Sequence, residues 1–104
     1  MVDFASIRAL SDTIVERFHP DQIVLFGSHA RGEADERSDV DLLVALPNVD
    51  NPRRAAIEIR RALKGSGVPK DIVVVDSADL SRRSSIPGDV VRAALREGKV
   101  LHER

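Results

Sequence analysis

Between Asp3 and Phe18 the apolar residues Phe4, Ile7, Leu10, Ile14 and Phe18 recur at steps of three, three, four and four. That spacing lays one apolar stripe along a helix, with Asp3 placed as N-cap and Pro20 just beyond the end. A short apolar run follows from Gln22 to Phe26 and breaks at Gly27. Its length between two breakers predicts a buried strand. From Ser28 to Arg37 the chain is small and polar, with room for one helical turn after Gly27. Strand character returns from Asp39 to Leu46, where alternation sets Val40, Leu42 and Val44 on one face and Asp39, Asp41 and Leu43 on the other. Two carboxylates on an otherwise apolar strand break the local rule, and such breaks gather at functional sites.

Asn51-Pro52 opens the next helix, Asn as N-cap and Pro in the first turn. Ala56, Ile59 and Leu63 form its stripe, Arg53, Arg54, Arg60 and Arg61 face water, and Gly65-Ser66-Gly67 ends it. Asp71 to Asp76 is a third strand rich in β-branched residues, with Asp71, Val73 and Val75 on one face. Ser77 is placed to cap a short helix containing Leu80. Val90, Val91, Ala94 and Leu95 suggest a last helix stopped by Gly98, and Val100-Leu101 a closing edge strand. The expected fold is α/β (α+β), a small mixed sheet with helices packed against one face. No repeat and no long linker divides the chain, so residues 1–104 read as a single domain.

Composition narrows the function. Sixteen Lys and Arg nearly balance 17 Asp and Glu, so bulk charge gives no support to direct nucleic-acid binding. The chain has three Phe and neither Tyr nor Trp, which removes the aromatic platforms that single strands stack on. With no cysteine, disulfides and thiolate metal sites are excluded. No apolar run has the length of a membrane span, and the start MVDFASIRAL lacks the basic-then-apolar order of a signal peptide, so the expected location is cytoplasmic.

Asp39 and Asp41 lie two apart on a strand and project the same way. Paired hard oxygen donors suit Mg²⁺, and two such ions can steady the attacking and leaving oxygens of a displacement at phosphorus. Asp71 is the candidate third carboxylate, able to bind one metal and help deprotonate an attacking hydroxyl. Gly27-Ser28, at a strand-to-helix turn, lets the backbone approach a polyphosphate, with N–H groups and the Ser hydroxyl as donors. Arg31 could add a bidentate contact to the same phosphates.

Singly these features are common: Gly-Ser is often only a turn, and D-x-D often a cap or a loop. Together, G-S-x₁₀-D-x-D arises by chance in on the order of one per thousand chains of this length. Glu33, Asp35 and Glu36 read as a solvated loop, and Asp76 as a strand terminator. His19, His29 and His102 match no metal-ligand spacing.

Gly27, Ser28, Ala30, Arg31 and Gly32, followed by Ser38-Asp39-Val40-Asp41-Leu42-Leu43-Val44, resemble the signature of the minimal nucleotidyltransferases (MNT type) of the polymerase-β superfamily. The resemblance extends over nearly the whole chain, through Asp71-Ile72-Val73 to the terminal ALREGKVLHE. It implies that Asp39, Asp41 and Asp71 bind metal and that Gly27 and Ser28 bind the nucleotide's phosphates. The implied reaction moves a nucleoside monophosphate, commonly AMP from ATP, and releases pyrophosphate. His29 stands where Arg or Tyr is frequent in the family; little consequence is expected, the alternative being a change in the grip on the nucleotide.

A chain of 104 residues leaves little to enclose a small acceptor, so the acceptor is expected on another polypeptide. Many members of the family are antitoxins that add AMP to a tyrosine of a HEPN ribonuclease toxin. The resemblance therefore implies a HEPN partner, in a hetero-oligomer. Two alternatives are a catalytically idle antitoxin that masks its partner by binding, and a small-molecule, antibiotic-type nucleotidyltransferase with a helper subunit.

Overall fold

Residues 2–104 are described in a computed structural model. Helix α1 spans Phe4–Phe18. The Asp3 carboxylate accepts from the Ser6 N–H at 2.9 Å, and His19, in the left-handed region at φ 51°, ends the helix before Pro20. Ile7, Leu10 and Ile14 are buried as their spacing requires, whereas Phe4 is 54% exposed, its ring under the Arg8 guanidinium at 5.6 Å.

The remaining elements are β1 (Gln22–Phe26), the single turn α2 (Ser28–Arg31), β2 (Val40–Leu46), α3 (Pro52–Ala62) and β3 (Lys70–Asp76). A 3-10 turn at Ser77–Asp79 then leads to α4 (Leu80–Ser84), α5 (Val90–Glu97) and β4 (Lys99–Glu103). The sheet order is β3-β2-β1-β4. Strand β1 is antiparallel to β2 and β4, while β2 and β3 are parallel, so the sheet is mixed as expected. Parallel neighbours cannot be joined by a tight turn, and α3 is the crossover between them. Asn51 caps α3 by accepting from the Arg54 N–H at 3.1 Å.

Two expectations need correction. Helices cover both faces of the sheet, not one. Ile7, Leu10 and Ile14 of α1 and Ile59 of α3 pack with Ile23, Leu25, Val40, Leu42 and Val44. Val91 and Ala94 of α5 pack on the opposite side with Val24, Leu43, Ala45 and Val75. Strand β2 carries the reason: Leu42 through Leu46 are all buried, an uninterrupted apolar run that a strand with one wet face would not have. Ser77 does not cap the helix containing Leu80: α4 has Asp79 at its N-cap without a side-chain cap bond, and Ser77 opens the preceding 3-10 turn, which is capped by Asp76. Its Oδ1 accepts from the Ala78 N–H and its Oδ2 from the Val49 N–H, each at 3.0 Å, so it also ties β3 to the loop after β2.

Candidate active site

Strand β1 ends at Phe26, and Gly27 takes φ 75°, ψ −157°, a conformation that disfavours side chains. The chain then closes the single turn α2, in which Ala30 and Arg31 donate to the Gly27 carbonyl at 3.1 and 3.2 Å. Ser28 and His29 open that turn, so their N–H groups have no partner within it. Gly32 ends the turn in the left-handed region at φ 72°. A Cβ on Gly27 would overlap Asp41 Oδ2. The glycine is therefore fixed by space as well as by dihedral: its backbone lies directly against the Asp41 carboxylate.

The loop from α2 to β2 folds on itself. Asp35 Oδ1 accepts from the Arg37 N–H at 2.8 Å and from the Ser38 hydroxyl at 3.2 Å. His29 Nε2 lies 3.3 Å from the Ser38 carbonyl and fastens this loop to α2. These bonds deliver Asp39 to the start of β2, where the Val40 N–H donates to the Pro69 carbonyl at 2.9 Å. Asp39 lies just before the strand rather than in it and is exposed.

Asp41 pairs across the sheet with Phe26 on one side and Asp71 on the other. In-register partners share a face, so Asp41 and Asp71 are neighbours on the side covered by α5. The pairing gives the Asp41 carboxylate unusual surroundings. Burial first, then the charges of Asp71 and Asp39, push its pKa up from the ordinary 3.8, against a smaller opposite pull from His29 and Arg31.

The other site residues have partners. Asp71 Oδ1 accepts from Arg60 Nη2 at 2.8 Å. The Arg31 guanidinium bonds Glu33 Oε2 at 3.2 Å and Glu97 Oε2 at 3.6 Å, so it is engaged with carboxylates rather than turned to an open phosphate position. Arg60, Glu33 and Glu97 drew no such role from the sequence. Arg60 stands on the α3 face read as solvated, and nothing in its spacing signals that the β2–α3–β3 crossover brings it to Asp71.

Among the described residues no three His, Asp or Glu side chains are gathered closely enough to hold a metal ion as they stand. The donor set nevertheless fits a hard divalent cation. Burial first, and then the charges of Asp71 and Asp39, disfavour ionisation of Asp41, and a bound cation would offset both. The Arg60 guanidinium already supplies a positive charge at Asp71.

Residues 7–100 match the family model described as "Nucleotidyltransferase domain". The Methanocaldococcus jannaschii protein MJ1305, described as a protein adenylyltransferase, is 34% identical over 87 residues, which are 79% of this chain and 58% of that protein. The chain thus spans little more than half of that relative's length. Protein adenylyltransferase MntA of Thermococcus cleftensis is 35% identical over 83 residues, 79% of this chain and 75% of that one. Two solved structures share the fold. One, a Sulfolobus solfataricus protein described as a nucleotidyltransferase, has a TM-score of 0.66 at 18% identity over 96% of this chain and 79% of its own. The other, a toxin-antitoxin crystal structure with AMP-PNP, has a TM-score of 0.59 at 24% identity over 93% and 73%.

Proposed function

The chain belongs to the nucleotidyltransferase domain family, and from that premise we propose that it moves AMP from ATP to a hydroxyl of a partner protein with the help of Mg²⁺. The acceptor is a tyrosine of a HEPN ribonuclease toxin, and the chain acts as the matching antitoxin. One observation carries this reading: the Gly27 backbone packs against the Asp41 carboxylate, with Asp71 opposite on the next strand. The names of the two relatives support AMP as the group and a protein as the acceptor, and the toxin-antitoxin fold neighbour supports the setting.

Each residue then has a task. Asp39, Asp41 and Asp71 would hold Mg²⁺, which would supply positive charge to offset the charge that develops in a displacement at phosphorus. The N–H groups of Ser28 and His29 and the Ser28 hydroxyl donate to phosphate oxygens, and the bare Gly27 backbone lets those phosphates approach. Asp71, whose Oδ1 is held by Arg60, accepts the proton of the acceptor hydroxyl. The hydroxyl oxygen bonds to the α-phosphorus, the bond from that phosphorus to the β-bridging oxygen breaks, and pyrophosphate departs. Arg31 contributes a positive charge near Asp41 while held by Glu33 and Glu97.

Co-expression with a HEPN-type protein carrying an R-x₄-H motif, followed by intact mass measurement, tests the proposal. The partner should gain whole multiples of an AMP residue, and Asp39→Asn should abolish the gain. Undiminished transfer by Asp39→Asn would show the metal assignment to be wrong. The Arg60–Asp71 bond, which occupies one oxygen of the third carboxylate, favours a second reading, masking without transfer. Full toxin neutralisation by Asp39→Asn would support it.

A further inference from the structure

Strand β3 is an outer strand of the sheet, with no neighbour on its far side among the described residues. Its central run Ile72–Val75 has no charge, no proline and no irregularity of register, and the charges of the strand, Lys70, Asp71 and Asp76, stand at its two ends. Between this edge and α3 lie two grooves of about 480 and 560 Å³ that share Ile57 and Arg60 and so form one trough. Arg53, Arg60, Arg61, Lys64 and Lys70 line it, and no carboxylate does. Of these, only Arg60 has an ion-pair partner among the described residues. The chain as a whole carries a formal net charge of −1, so this concentration of cations is local rather than a reflection of bulk charge. Ile57 stands on the rim, 45% exposed.

We propose that this trough is the docking site for an extended, acidic segment of the acceptor protein, which adds to β3 as a fifth strand. The inference rests on the reading above that the acceptor is a protein. The free N–H and C=O groups of β3 pair with an incoming main chain, the flanking cations attract its carboxylates, and Ile57 receives an apolar side chain. Arg60 lines the trough and bonds Asp71, so a segment lying along β3 reaches the carboxylates at that strand's start. A nucleic acid fits less well. It cannot pair with a strand edge, and Phe4, Phe18 and Phe26 all lie outside the trough, leaving no stacking platform.

The test uses the full chain and a fluorescent random copolymer of glutamate and tyrosine, with a lysine–tyrosine copolymer and single-stranded oligothymidine as controls. The glutamate copolymer should bind and the lysine copolymer should not. Amide hydrogen exchange should slow in β3 on binding but not in β4, the opposite edge. Arg61→Glu combined with Lys64→Glu should weaken binding at least tenfold with an unchanged melting temperature. Ile57→Asp, made separately, should weaken it too. Asp39→Asn should bind the copolymer as the wild type does, so loss of transfer and loss of docking are read apart. Unaltered β3 exchange, tighter binding of oligothymidine, or wild-type affinity in both sets of variants would overturn the proposal.

Discussion

Gly27 is where backbone geometry and electrostatics meet. A side chain there is opposed both by φ 75° and by the Asp41 carboxylate. Gly27→Ala should therefore displace Asp41, and AMP transfer should fall by about 100-fold or more, the scale expected when a reacting group is misplaced by about an ångström. Steady-state transfer rates check this, with circular dichroism to show that the fold is kept. Asp41 itself predicts a trade between function and stability. Burial and the neighbouring carboxylates raise its pKa, so the folded state holds that proton more tightly than the unfolded one. Its contribution therefore falls as pH rises from the ordinary 3.8 through the raised value, and the cost persists above it. Asp41→Asn removes that cost. In chelator-containing buffer the variant should melt above the wild type, by a margin that widens from pH 4.5 to pH 7.5, while losing transfer. Thermal melts across that range check the sign. At this scale the sequence was partly legible: Gly27, Ser28, Asp39, Asp41 and Asp71 stand out by type and spacing. Arg60 at Asp71 and Glu97 at Arg31 did not, because each pair is far apart in sequence and is joined only by the path of the chain.

Among the elements, α5 sets the position of β1. Its end at Gly98 sits against β1, and a Cβ there would lie 2.7 Å from the Leu25 carbonyl oxygen and overlap Val24 and the Ala94 carbonyl. The backbone φ of −84° is open to any residue, so the restriction is one of space. Gly98→Ala should cost about 1–3 kcal/mol through overpacking, measured by urea denaturation, and should disturb Gly27 by shifting the end of β1. Element order and most boundaries were legible because each strand is bracketed by Pro, Gly or Asp, and because α1 and α3 carry caps that can be read directly. The covering of both sheet faces was missed. The run Leu42–Leu46 carried that signal, but the pair Asp39 and Asp41 drew the alternation toward a strand with one polar side. The cap after β3 fell to Asp76 because its carboxylate reaches two N–H groups at once, one of them Val49, on a loop that local sequence cannot place beside it.

For the molecule as a whole, Asp41 and Asp71 lie on the α5 side of the sheet and the cationic trough lies between α3 and the edge of β3, and the Arg60–Asp71 bond joins the two. The direct test is to supply the chain and a candidate HEPN-type acceptor protein with ATP labelled at the α-phosphorus or, separately, at the γ-phosphorus, with Mg²⁺ or with excess EDTA. Label should enter the partner only from the α-position and only with Mg²⁺, with one pyrophosphate released per label transferred. Transfer of the γ-label, or α-label transfer undiminished by EDTA, would contradict the account.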